Sequence, residues 1–304
     1  MAVTRIILMP LSAAFVSVIL IWSTTPLAIQ WSALGAGFSF AVLSRMMIGM
    51  VVCALLLAVL RIRLPLHRRA MHSYLASGLS MFATLILVYW CSQYVGSGMI
   101  AVLFGLSPLI TSLGAALWLK EESLSASKLA GMALGLIGLV LVFKGGLSLG
   151  AGAAMGFVAL FAAVVAQALG LVWIKKVGDD SHPLATTFGS LLVALPLFLL
   201  AWWGLDGSWP EAVPGRAMLA IVYLGVVGSV LGFLLYYYLI KHMETGHVAL
   251  ISLITPVTAL LLGHALNDEP VLPHVWLGTA CIVSGLALHR WGPWWLARVL
   301  RLTR

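Results

Sequence analysis

The chain reads as an all-α integral membrane protein of ten transmembrane helices, arranged as two inverted five-helix repeats. Three observations predict this. Hydrophobic residues make up 62% of the 304 residues and charged residues only 9%, whereas a water-soluble domain carries about 25% charged residues. The apolar residues are gathered into ten stretches long enough to cross about 30 Å of hydrocarbon, each near 20 residues. The second half of the sequence repeats features of the first at a nearly constant offset.

The ten predicted spans are 6–29, 37–60, 71–92, 97–119, 127–143, 151–174, 184–203, 217–239, 246–266 and 274–290. Span 1 begins after Arg5 and could be mistaken for a secretion signal. Its length suits a full crossing and no small-residue cleavage site follows, so it is read as a helix. Spans 2 and 3 are separated by Arg61, Arg63, His67, Arg68 and Arg69, the strongest basic loop. Of the seventeen Lys and Arg residues, all but Arg45, Lys144 and Arg216 fall on one side of this layout. Basic loops are retained on the cytoplasmic face, which predicts that both ends lie inside. After span 10, residues 291–304 form a basic aromatic tail, with Trp291, Trp294 and Trp295 followed by Arg298, Arg301 and Arg304. That pattern suits a cytoplasmic interfacial anchor.

The net charge of +8 does not indicate a nucleic-acid partner. The charge sits in short loops and no soluble basic module exists to carry such a function; orientation and attraction to anionic headgroups account for it. Cys53, Cys91 and Cys281 lie within spans at no metal-ligand spacing and read as small apolar side chains. No nucleotide-binding glycine loop, HExxH motif or nucleophile–base constellation is present, so neither a cofactor nor catalysis is expected.

A shift of 148 residues pairs Tyr89 with Tyr237, Gly98 with Gly246, Ala101 with Ala249, Pro108 with Pro256 and Glu121 with Glu269. A one-residue adjustment pairs Gly131 with Gly278, Ala133 with Ala280 and Gly138 with Gly285. Near the start of each half, a shift of 145 sets Trp22 beside Gln167 and Arg45 beside Ser190, more weakly. Residues 1–147 and 148–290 are therefore read as the two repeats. With five spans each, the second copy enters the membrane from the opposite side. Inverted repeats of this kind are the usual plan of secondary transporters, with substrate near the midplane between the halves.

These residues resemble the drug/metabolite transporter superfamily, specifically its EamA-type ten-helix exporters, over nearly the whole chain. The best-matched stretches are Ser44-Arg45-Met46-Met47-Ile48-Gly49, then Ser107-Pro108-Leu109 with Leu119-Lys120-Glu121-Glu122. The second copy supplies Thr255-Pro256-Val257 and Asp268-Glu269-Pro270. Where the family often shows Trp-Gly-Ser in its first span, Trp22 is followed by Ser23 and Thr24. The resemblance implies a pathway lined mainly by helices 1, 3, 4, 6, 8 and 9, on which Trp22, Tyr89, Trp90, Gln167 and Tyr237 fall. It also implies a bacterial inner-membrane location.

Arg45 is the only charge deep within a span, and burying it costs about 3 kcal/mol on an insertion scale. It either attracts an anionic substrate group or bonds freed backbone carbonyls as a structural cation. The second reading is slightly the stronger, since its counterpart is Ser190. Pro108 and Pro256 remove backbone donors at matching places, predicting helix kinks that could serve gating or merely shape the bundle. Aromatics near span ends are more often interfacial than cavity-lining. Glu121 and Glu269 are expected to be solvated helix-end carboxylates. His247 and His264 could titrate, though packing or interface roles are commoner.

Small four-helix multidrug pumps of the resembled superfamily use a membrane-embedded Glu to move cationic drugs, and no acidic residue occupies the middle of a span here. The expected function is thus alternating-access export of a small amphipathic metabolite. Amino acids are the leading class, and the YddG-like aromatic amino-acid exporters of that family fit. The alternatives are a multidrug or organic-cation exporter, a passive pore, and a non-transporting receptor or scaffold. The expected partners are a small-molecule substrate and the lipid bilayer, the chain working as a monomer.

Overall fold

A computed structural model describes residues 10–120, 125–147, 151–243 and 245–302; the side chains of 143–147, 151, 237, 240, 241, 245, 246, 249 and 293–302 lie outside the description. The described residues form α1 (Leu11–Ala33), α2 (Phe38–Val59), α3 (Arg68–Cys91), α4 (Ser97–Phe104), α5 (Ser107–Trp118), α6 (Ala126–Leu147) and α7 (Ala151–Val177). They continue with α8 (Pro183–Leu205), α9 (Gly215–Tyr223), a π-helical segment (Leu224–Leu231), α10 (Gly232–His242), α11 (Thr245–Asn267) and α12 (Pro273–Leu302). Taken as passes, α4–α5 is the fourth and α9–π–α10 the eighth, giving ten. Eight passes hold long apolar helices, and Ala126–Val142 is a shorter one.

Local chemistry sets the ends. Gly35 and Gly37 adopt φ of 74° and 80° between α1 and α2, a backbone that residues with a Cβ rarely take. The Nδ1 atoms of His67 and His182 accept the backbone N–H groups of Ala70 and Leu184, each at 3.2 Å, and so cap α3 and α8. Pro183 follows His182 at the start of α8, where its missing donor costs nothing.

Two predicted spans are not single helices. The fourth is broken between Phe104 and Ser107. Pro108 supplies no N–H to the Phe104 carbonyl and its ring crowds that oxygen, so α5 restarts with the proline in its first turn. The eighth contains the wider π turn, where the Gly232 N–H donates to the carbonyl of Val227, five residues back. Pro256, by contrast, sits within α11, which runs from Thr245 to Asn267 without interruption. The helix of the tenth pass does not stop at 290 but continues to Leu302.

The duplication is visible in the packing. α3 lies along α7, and the eighth pass, its counterpart, lies along α1; α3 meets α8, and the eighth pass meets α2; α1 meets α11, and α4–α5 meet α7. The pairs α6–α12, α2–α8 and α4–α11 each join a pass to its own counterpart. Each repeat is thus interleaved with the other. The α6–α12 seam gives the symmetry in detail. A Cβ on Gly131 would lie 2.5 Å from the Gly285 carbonyl oxygen, and one on Gly278 would lie 2.8 Å from that of Gly138. Those two contacts are exchanged by the pairing of Gly131 with Gly278 and Gly138 with Gly285. Lys120 and Asp268, also 148 apart in sequence, both take left-handed φ, 56° and 50°.

The symmetry is incomplete. α4 packs on α1 and α11 at the end of the bundle that holds the 34–37, 92–96, 206–214 and 268–272 connections. At the other end, among the described residues, α5 packs chiefly on α7, and α7 makes no comparable contact with α11. The first end is drawn together by contacts that the described residues of the other do not match.

Candidate functional site

The eighth pass presents a row of small residues to α1 and α2: Gly225, Gly228, Ser229 and Gly232. A Cβ on Gly225 would come within 2.6 Å of Ile48 Cγ2, and one on Gly232 within 3.4 Å of Trp22 Nε1. The absence of side chains here lets two predicted residues approach the π turn. Arg45 is 5% exposed. Its Nε donates to Ser229 Oγ at 3.0 Å, and Nη2 points toward Gly228, 3.8 Å from where a Cβ would sit. Its Nη1 is buried with no partner. Among the described residues no carboxylate pairs with it. The guanidinium therefore has hydrogen-bonding capacity to spare.

One turn farther along the same groove, Trp22 stacks obliquely on Tyr236 with ring centroids 4.7 Å apart, and Phe233 is edge-on to it at 6.4 Å. Thr25 lies between the two sites, its hydroxyl 3.7 Å from the Cβ position of Gly228. The neighbouring Thr24 exchanges a 2.6 Å hydrogen bond with the Tyr223 hydroxyl, and Ser23 is hydrogen-bonded to Thr258 on α11. The groove thus offers an unneutralised cation at one end and an aromatic surface at the other.

Tyr89, Trp90 and Gln167 do not join it. Tyr89 is fully buried on α3 with its hydroxyl unpartnered, and Trp90 beside it packs on Tyr94 at 5.1 Å. Gln167 is on α7, its Oε1 buried without a partner. The α3–α7 seam places Ser80 beside Ala166 and Gly170, and Cys91 beside Gly156. Gln167 is consequently about two turns from the level of Tyr89. The helix carrying Tyr237 borders the groove, but that side chain lies outside the described residues. Pro108 and Pro256 sit close to one crossing: a Cβ on Gly105 would be 3.3 Å from Pro256 Cγ.

The sequence reading missed the polar cluster at the drawn-together end. Glu269 is not a solvated helix-end carboxylate. Its Oε1 accepts the Ser97 N–H at 2.9 Å and its Oε2 the Gly98 N–H at 3.1 Å, at the start of α4. Asn267 Nδ2 donates to Glu269 Oε1 at 3.1 Å and to Gln30 Oε1 at 3.0 Å. Gln30 in turn donates to the carbonyls of Val95 and Ser92, at 3.0 and 3.3 Å. Trp31 Nε1 donates to Asn267 Oδ1 at 3.0 Å, and the Arg216 guanidinium lies 3.8 Å over the Trp31 ring. His264 holds the Glu269 carbonyl through Nδ1 at 2.9 Å. The one sequence signal for this cluster was the set of small residues, Gly96-Ser97-Gly98 and Gly263, that leave room for a carboxylate.

A chain from a crystal structure shares this fold, with a TM-score of 0.62 at 20% identity over 92% of this chain and 96% of that one. Among curated relatives, a "Probable amino-acid metabolite efflux pump" of Escherichia coli (strain K12) is 29% identical over 57% of this chain and 61% of its own length. The "Uncharacterized inner membrane transporter YedA" of the same strain is 28% identical over 64% of this chain and 62% of its own length. The matched region thus spans about three-fifths of each of these relatives. A model of the EamA-like transporter family matches residues 8–144 and, a second time, residues 154–291. Two copies of that family's repeat, in a bundle whose passes pair across the copies, establish that the chain is a multi-pass membrane protein belonging to the EamA-like transporter family.

Proposed function

We propose that the protein exports amino acids, those with aromatic or other apolar side chains foremost, across a bacterial inner membrane. It works by alternating access, with both termini in the cytoplasm. The observation that carries the substrate class is the pairing of Arg45 with Trp22 along one groove. A substrate carboxylate is the natural partner of a buried guanidinium with an unpaired Nη1. An apolar side chain pointing the other way would meet Trp22, Phe233 and Tyr236. Organic cations fit poorly, since they would be brought beside an unneutralised positive charge. The curated relatives named as amino-acid metabolite efflux pumps support the same class. One end drawn together by contacts between the repeats is what a transporter held in one of two exchangeable states is expected to show.

Counterflow in proteoliposomes tests this with a panel of amino acids, nucleosides, sugars and quaternary amines. Aromatic or branched amino acids should exchange saturably. Arg45→Gln should raise their KM about 10- to 100-fold, the effect of losing one charge-assisted hydrogen bond, with Arg45→Lys between. Exchange confined to quaternary amines, or an Arg45→Gln variant with unchanged KM, overturns the substrate reading.

A further inference from the structure

We infer that Glu269 is a conformational latch. Its carboxylate, bound to the N-terminus of α4, holds one end of the transport route shut, and its release lets that end open. The inference rests on the alternating-access reading, and it adds the residue that stabilises the closed end.

The carboxylate occupies a site shaped for it. The first N–H groups of a helix have no acceptor within the helix and carry a partial positive charge. Two of those on α4, from Ser97 and Gly98, are directed at the two oxygens of Glu269. Asn267 Nδ2 supplies a third donor at 3.1 Å. Space is made by two glycines: a Cβ on Gly96 would stand 2.8 Å from Glu269 Oε2, and one on Gly263 only 2.6 Å from it. Larger residues at either position would expel the carboxylate.

What the latch joins is also suited to movement. Glu269 follows α11 of the second repeat, whereas α4 belongs to the first. Gln30 and Trp31 of α1 extend the cluster to the α3–α4 turn and, through Arg216, to the start of α9. The element being held is only eight residues long and is separated from α5 by the break before Pro108. It can therefore tilt without dragging the rest of its pass. Below the cluster, α4 and α11 touch closely, a Cβ on Gly98 coming within 2.8 Å of Leu260 Cα. The bonds at the end are polar and lie near solvent, so water can replace them when they break. The glycine seam of α6 and α12 has no such exchange and would stay intact. A strong but exchangeable contact at the moving end, against a permanent one elsewhere, is the requirement for a gate.

The test measures the distance between spin labels at Gln93→Cys and Leu272→Cys, in full-length protein carrying Cys53→Ala, Cys91→Ala and Cys281→Ala. These sites flank the latch on the two repeats and are exposed. The parent should show a dominant short distance. Glu269→Gln should lower the ratio of short to long distances about tenfold, as expected for loss of one charge-assisted bond. Two other variants reach the same contact without touching Glu269. Ser97→Pro removes the first N–H at a helix position where proline is well accommodated, and Gly263→Ala intrudes on the carboxylate. Both should shift the distribution in the same direction, while Glu211→Gln, an exposed acidic residue at the same end, should not. Distance distributions of all three latch variants that superimpose on the parent overturn the inference. The readout needs no substrate. Shifted distances in a protein that exchanges no amino acid would support the latch while sinking the substrate assignment.

Discussion

Arg45 concentrates the electrostatic demand of the bundle at one side chain, and its surroundings meet that demand only in part. Ser229 accepts from Nε, and Nη1 is left with nothing. Replacing Ser229 with Ala would strand a second guanidinium donor. Such a change is expected to lower stability by about 1–3 kcal/mol, read as a fall in melting temperature of the detergent-solubilised protein. Tyr89 presents the opposite case. Its ring fills the core at 0% exposure while its hydroxyl has no acceptor. Tyr89→Phe should therefore leave the melting temperature unchanged or raise it by the equivalent of about 1 kcal/mol. A large loss of stability would show that the hydroxyl has an acceptor after all.

At the scale of elements, close approach in lipid depends on what is missing from the helix surface. The α6–α12 seam brings backbone against backbone at Gly131, Gly138, Gly278 and Gly285. Without water to drive apolar association, such contacts provide the packing that holds helices together. Gly131→Val places atoms within 3 Å of the Gly285 carbonyl and the His289 backbone nitrogen. It should cost about 1–3 kcal/mol, the usual penalty for overpacking, measurable as earlier thermal aggregation. The broken fourth pass gives a different expectation. Pro108→Ala restores the missing donor and allows α4 and α5 to join. Thermal stability should hold or rise while turnover falls, because α4 would no longer tilt independently. An unchanged turnover with a continuous helix would show that the break merely shapes the bundle.

For the whole molecule, the pseudo-two-fold relation was visible in the residues before it was visible in space. The offset of 148 that pairs Pro108 with Pro256 also pairs Lys120 with Asp268, which share an unusual backbone conformation. Gly131, Gly138, Gly278 and Gly285 were legible as repeat partners, though not as one seam. Other features were hidden. Trp22 and Arg45 stood out separately as an aromatic and a buried charge, but nothing in the chain signalled that Gly225, Gly228 and Gly232 would place them along one groove. Glu269 looked like an ordinary carboxylate beyond a helix end, because the N–H groups it binds lie more than 170 residues earlier. The proposed topology, with an even number of passes, is open to a direct check. Cysteine labelling in intact cells should find residues in the 61–69 loop and near residue 300 equally shielded from an impermeant reagent.

Apolar content, span length and the repeated pattern by themselves determined the number of passes, the duplication and its inverted sense. Each follows from a one-dimensional quantity: about 20 apolar residues per crossing, or an odd count per repeat. Only the tertiary structure decided which face of each helix is buried and which partners meet across the repeats. In lipid, the outside of a helix is as apolar as its packed side, so there is no polar face from which to read the inside. The contacts that matter, Arg45 with Ser229 and Glu269 with α4, arise where two distant helices are brought together by packing.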